Sequence, residues 1–213
     1  MIITVFGATG QVGRRVVSMA LAQSHHVRAF GRNIESLIDK DLADDHLTAI
    51  KGYVFDEAEV YEAVKGADAV LSALGGARDG ADKTRSLGVK NIVAQMQKAN
   101  VNRIITLGGM GSLKSDEHEY IMNRPGYPAV FLPVSKEHLQ VYHLLKASKL
   151  QWTFIGAPDI LDIAADGNYI TSADYPPATG IHKINAGNIA DFMLKEITEG
   201  RYLQQRVGIS NLQ

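Results

Sequence analysis

Positions 7 to 13 read Gly-Ala-Thr-Gly-Gln-Val-Gly, which sets glycines at 7, 10 and 13. The string follows directly on Ile2 to Phe6, a β-branched and aromatic run that predicts a strand buried on both faces. It leads into Val12, Val16, Val17, Ala20 and Leu21, whose helical spacing predicts an amphipathic helix from Val12 to Gln23. Strand, glycine turn and helix in that order suit a dinucleotide diphosphate. Gly7 serves the tight turn, Gly10 the close approach of backbone to phosphate, and Gly13 the seating of helix on sheet. The phosphates would rest on free N–H groups at the positive end of the helix, with Thr9, Gln11 and Val12 beside them. A ligand-free glycine turn is the alternative, and the flanking strand and helix disfavour it.

A second pattern concerns charge. From Met1 to Ile34 there are four arginines (Arg14, Arg15, Arg28 and Arg32) and no acid, in a chain whose net charge is −1. Dinucleotide sites specific for NAD usually end the second strand with an Asp or Glu for the ribose 2′-hydroxyl. Here that place reads Ala-Phe-Gly-Arg-Asn. Arg32 is placed for a bidentate contact to a 2′-phosphate, so NADP(H) is expected over NAD(H). Arg14 and Arg15 read as a solvated helix face.

Elements must position these residues. Further strands are predicted at Val27 to Phe30, Leu47 to Lys51, Ala67 to Ser72, Arg103 to Leu107 and Gln151 to Ile155. Helices are predicted near Asn33 to Asp39, Glu57 to Lys65, Thr84 to Ala99 and Ser135 to Ala147. Six strands with long crossovers imply an α/β, Rossmann-type doubly wound parallel sheet of order 3-2-1-4-5-6. Ala157 to Thr179 holds three of the six prolines and few periodic apolar residues, so a small loop-rich substrate lobe is expected over 156–180. A short strand at Ile181 to Ile184 and a helix carrying Ile189, Ala190, Met193, Leu194 and Ile197 follow. The whole chain, 1–213, is expected to form one domain.

Composition narrows the partners. The 22 Lys and Arg balance 23 Asp and Glu, so neither nucleic acid nor a membrane surface is an expected partner. Cysteine is absent, which removes disulfides and thiolate chemistry. No apolar run exceeds four residues, so neither a signal peptide nor a membrane span is expected, and the cytoplasm is the expected compartment. His118 within Ser115 to Tyr120 has no companions at ligand spacing, and no metal site is expected. A monomer is compatible with all of this.

Together with the glycine string and Gly-Arg-Asn, the segments Ser-Ala-Leu-Gly-Gly-Ala-Arg-Asp (72–79) and Ala-Pro-Asp-Ile (157–160) resemble the atypical short-chain dehydrogenase/reductases. Within them the chain is similar to NmrA-like proteins, above all the biliverdin-IXβ reductase and flavin reductase group. The resemblance implies Thr9, Gly10, Gln11 and Val12 on the diphosphate, Arg32 on the 2′-phosphate and Val54 near the adenine. It also implies Leu74, Gly75 and Arg78 along the ribose and nicotinamide, with Gly108 after strand five. Family members often have Asp in the turn after strand three. This chain has Gly52-Tyr53-Val54, so stacking of adenine on Tyr53 is the expectation.

Ordinary members protonate a carbonyl with a Tyr and Lys four residues apart and a Ser after strand five. Here Thr106 to Ser112 reads Thr-Leu-Gly-Gly-Met-Gly-Ser, so the nearest hydroxyl is Ser112. Lys136 falls at the lysine place, but Leu132 stands where the tyrosine should. Tyr142 and Lys146 match by letters only and lie too late on their helix. A simple ketone needs a proton donor, whereas a flavin, quinone or tetrapyrrole delocalises incoming charge. An NADPH-dependent reductase of such a flat conjugated acceptor is the first expectation, with Ser112, Lys136 and Asp159 as candidate catalytic residues. A catalytically silent NADP(H)-binding regulator is the rival. Asp162 and His138 are further candidates, each balanced by an ordinary structural role. The segments Gly108 to Pro133 and Ala157 to Gly180 are expected to form the acceptor pocket or a lid.

Overall fold

A computed structural model describes residues 1–37, 44–77 and 79–212. In chain order they form β1 (Ile2–Phe6), α1 (Gly13–Ala22), β2 (His26–Gly31), β3 (Leu47–Lys51), α2 (Glu57–Val64), β4 (Ala69–Ser72), α3 (Thr84–Lys98) and β5 (Arg103–Gly109). Then come α4 (Leu132–Ala147), β6 (Gln151–Ala157), β7 (Asp159–Leu161), β8 (Tyr169–Ala173), β9 (Lys183–Asn185), α5 (Ala186–Glu199) and β10 (Gln205–Asn211).

The main sheet runs β3-β2-β1-β4-β5-β6-β10-β8, and its first six strands are all parallel. This is the doubly wound, Rossmann-type order 3-2-1-4-5-6, extended by two strands. Because strand side chains alternate, each strand feeds two cores. Ile3, Val5, Leu71, Ile105 and Ile155 pack under α1 and α5. Phe6, Phe30, Val70, Ile104 and Phe154 pack under α2, α3 and α4. Parallel pairing puts the carboxyl ends of all six strands at one edge, where ligands of such sheets bind.

Three features differ from the sequence expectation. In place of a helix over Asn33 to Asp39 there is a 3-10 turn, Ile34–Leu37, and the end of that prediction lies outside the described residues. The 157–179 segment is less irregular than its prolines suggest. It contributes β8 to the main sheet, antiparallel to β10, and β7 to a two-stranded sheet with β9. β10 itself is not among the predicted strands: Val207 and Ile209 are its only buried apolar side chains, and Arg206, Ser210 and Asn211 are buried polar residues beside them. Arg206 is tolerated there because Asp174 pairs with its Nε at 2.8 Å, the Ser112 carbonyl accepts from its Nη1 at 2.7 Å, and Tyr142 lies 4.5 Å from its guanidinium carbon. No helix among the described residues is long and apolar enough to cross a membrane.

Candidate functional site

A cavity of about 880 Å³ runs along the carboxyl edge of the sheet, at the large end of the usual range for small-molecule sites. Its first end is built by backbone. Gly7 leaves β1 at φ +76°, and a Cβ there would stand 2.4 Å from the Ala73 carbonyl oxygen. Gly13 does not line the cavity but packs beneath it, where a Cβ would come within 2.1 Å of the Gly7 carbonyl. Gly10 N–H donates to that same carbonyl at 3.0 Å and closes the turn. α1 opens with no side-chain cap and no acid in its first turn. The N–H groups of Gln11 and Val12 have no acceptor among the described residues. Thr9, Gly10, Gln11 and Val12 all line the cavity, so an uncapped helix terminus faces it. That arrangement fits a diphosphate.

Of the four amino-terminal arginines, three are engaged elsewhere. Arg14 and Arg15, read from sequence as a solvated face, both hold Asp162, at 2.7 and 2.6 Å. The paired guanidinium groups keep the Asp162 carboxyl below its ordinary pKa. Arg28 donates to the Lys65 carbonyl at 2.6 Å. Arg32 lines the cavity beside Gly31 and has no hydrogen-bond or ion-pair partner among the described residues. Next to it lie Tyr53, 58% exposed, and Val54, almost wholly buried. The Glu59 carboxylate accepts from Tyr53 N–H at 2.6 Å and fixes that turn. An open aromatic face can stack on a heteroaromatic ring, and the guanidinium beside it can pair with an anion.

Leu74 and Gly75 line the middle of the cavity, and nothing stands within 4 Å of where a Gly75 Cβ would be. Arg78 lies outside the described residues. The Asp82 carboxylate shapes the loop that follows. It accepts from the N–H groups of Thr84 and Ala77, at 2.8 and 2.9 Å. The Thr84 hydrogen bonds, with that from Ala77, hold its pKa down to about 2. Gly108 lines the cavity, and a Cβ there would stand 2.1 Å from the Phe154 ring behind it. A Cβ at Gly109 would stand 2.5 Å from Nδ1 of His138. The usual serine is therefore excluded sterically after β5, and an imidazole takes its room.

The second end of the cavity is built by side chains. Asp159 lines it at the start of β7, with Pro158 and Ile160 on either side. Ser112 and Lys136 do not. The 3-10 turn Met110–Ser112 turns the fully buried Ser112 hydroxyl inward, where it donates to the Gly109 carbonyl at 2.7 Å. Lys136 is exposed on α4 and lies outside the lining. Tyr142 is buried against Trp152 and Phe154, as a core residue would be. His138 lines the cavity, and desolvation by burial lowers its pKa to about 3, with Arg85 adding to the effect, so the ring is neutral at physiological pH.

Sequence reasoning missed Tyr127 and Ser135, both in the lining and hydrogen-bonded to each other at 2.7 Å. The only signal for them was the length of the loop before α4, which marks a pocket without saying which side chain enters it. Around His118, Asp116 merely accepts from the N–H groups of His118 and Glu119. No cluster of three or more metal-ligating side chains occurs among the described residues.

Comparison with known proteins places these features in context. The sequence profile of the NAD(P)H-binding family matches residues 7–200. The uncharacterized protein YwnB of Bacillus subtilis is 26% identical over 97% of this chain and 96% of its own length. A Bacteroides thetaiotaomicron structure named "putative epimerase" superposes with a TM-score of 0.86, at 29% identity over 100% of this chain and 97% of that one. A Streptococcus pneumoniae structure named "putative NADH-flavin reductase" gives 0.85, at 25% identity over 99% of both chains.

Proposed function

Because the chain belongs to the NAD(P)H-binding family, we propose that it is an NADPH-dependent oxidoreductase that passes hydride to a flat conjugated acceptor such as a flavin, a quinone or a tetrapyrrole-like ring. The observation that carries this reading is the continuity of one cavity from a diphosphate cradle to an apolar pocket. Gly7, Thr9 and Gly10 stand at one end, and Met110, Ile121, Pro128, Phe131 and Val134 at the other. The relative named for flavin reduction supports the acceptor class, although its name gives NADH as the coenzyme.

The cofactor, when bound, supplies the hydride; the chain supplies placement. Gln11 and Val12 N–H groups would hold the diphosphate, Arg32 the 2′-phosphate, and Tyr53 the adenine face, which favours NADP(H) over NAD(H). Leu74, Gly75 and Gly108 would border the nicotinamide, leaving its reactive face towards the apolar pocket. Shape alone makes much of the catalysis here, because holding two rings in near-attack geometry replaces a bimolecular encounter. The decisive assay mixes purified protein with NADPH and a panel of FMN, a benzoquinone and biliverdin, and follows nicotinamide oxidation. Turnover of at least one acceptor is the expected result. NADPH binding without turnover of any would replace the reductase with the silent regulator.

A further inference from the structure

The tyrosine missing from its usual helix position has a counterpart that arrives from another direction. Tyr127 sits in the loop between β5 and α4, where its N–H donates to the Arg124 carbonyl at 3.1 Å across a turn made by Gly126 at φ +84°. That turn carries the phenol back over the sheet edge to the cavity wall. Its Oη lies 2.7 Å from Oγ of Ser135, a residue 3% exposed near the start of α4. Gly111 makes the room. A Cβ there would stand 2.5 Å from the Tyr127 oxygen and 2.6 Å from the Ser135 oxygen, so any larger residue would push the pair apart.

The Ser135 hydroxyl has no other described partner. With Ser135 donating, the Tyr127 proton is free to face the cavity. His138 lies three residues further along α4, on the same side of the helix and in the same wall. The polar groups at this end thus gather above Gly109 to Gly111, beside the carboxyl end of β5, within an otherwise apolar pocket.

We propose that Tyr127 is the proton donor of this site and that Ser135 is its positioning residue, which brings quinones and conjugated ketones, whose oxygen takes the charge on reduction, within the acceptor class. The assignment rests on the reductase reading above. As hydride from the dihydronicotinamide bonds to the acceptor ring, the carbonyl π electrons move to oxygen. That oxygen takes the Tyr127 proton, the phenolic O–H bond breaks, and Ser135 donates to the resulting phenolate. Water returns a proton to Tyr127, which is only half-buried. Two electrons and two hydrogens reach the acceptor, and the cofactor leaves oxidised.

Two readouts test this. With a naphthoquinone, Tyr127→Phe should lower kcat about 100-fold, whereas with FMN, whose ring spreads the charge, it should cost less than about threefold. NADPH affinity should not move in the variant, and its melting temperature should fall by only a few degrees, the cost of leaving the Ser135 hydroxyl unpaired. Independently, the carbonyl stretch of naphthoquinone bound in the presence of NADP should lie at lower frequency in the wild type than in Tyr127→Phe, with Ser135→Ala between them. Equal losses for both acceptors, or none, would overturn the assignment of Tyr127 while leaving the reductase intact. An identical carbonyl band in wild type and variant would overturn it as well. A wild-type protein that turns over neither these two acceptors nor any other of the panel would overturn the reductase reading, and one that reduces FMN or biliverdin but holds no quinone would overturn the assignment of Tyr127 alone.

Discussion

The two ends of the cavity are made of different material. At the cradle end, the main chain forms the wall: a turn fixed by Gly7 and Gly13 presents unpaired N–H groups, and Arg32 brings a guanidinium with no partner among the described residues. At the other end, the proposed acceptor end, side chains form the wall, brought by segments 110–135 and 157–162 from distant parts of the chain. A wall of backbone tolerates almost no substitution, because a Cβ at Gly7 or Gly13 would meet other backbone, which cannot swing aside. Side-chain recognition can be rebuilt one residue at a time. The same fold can therefore keep one cofactor while its acceptors change.

The sharpest way to break this contrast is at Gly13. A side chain there meets the Gly7 carbonyl, which is backbone and cannot swing aside. Gly13→Val should abolish NADPH binding in a fluorescence titration and destabilise the fold by about 3 kcal/mol. A variant that still binds would show that the cradle is not built as described. Arg32 comes next in magnitude. Arg32→Ala should weaken NADPH by about 10- to 100-fold, the worth of a charge-assisted contact, and leave NADH within about twofold. Equal losses for the two coenzymes would remove the 2′-phosphate from this guanidinium.

The acceptor end offers a smaller test, in pH. His138 takes up its proton only near pH 3 in the folded protein but near the ordinary histidine value when unfolded. Between those values the unfolded chain binds more protons, so stability is fully present above about pH 6.5 and declines as pH falls towards 3. His138→Gln should flatten that decline. The melting temperature of the variant should drop less than that of the wild type between pH 7 and pH 5. A parallel drop would mean that His138 is not desolvated in its pocket.

The legibility of the sequence followed the same divide. Glycines 7, 10 and 13 and the strand–helix alternation are local signals, and they led directly to the sheet order and the cradle. Arg32 stood out because acids are absent around it, and the fold sets it in the cavity wall. β10 did not, because its buried Arg206 is neutralised by Asp174 and stacked on Tyr142, both remote in sequence. Arg14 and Arg15 looked like solvent-facing charges for the same reason, since Asp162 lies almost 150 residues away. Ser112 and Lys136 were chosen by position along the chain. The fold turns one inward onto the Gly109 carbonyl and leaves the other exposed on α4, while Tyr127 enters from a loop whose path no periodicity encodes and meets Ser135 on the first turn of α4.

The central claim is that hydride leaves a nicotinamide held in a single orientation against the acceptor pocket. It is tested most directly with NADPH deuterated at one or the other face of C4, under single-turnover conditions with the best acceptor of the panel. A primary isotope effect with one diastereomer and none with the other is the predicted result. NADPH that binds yet is oxidised with neither label slowing the reaction, or is not oxidised at all, would contradict it.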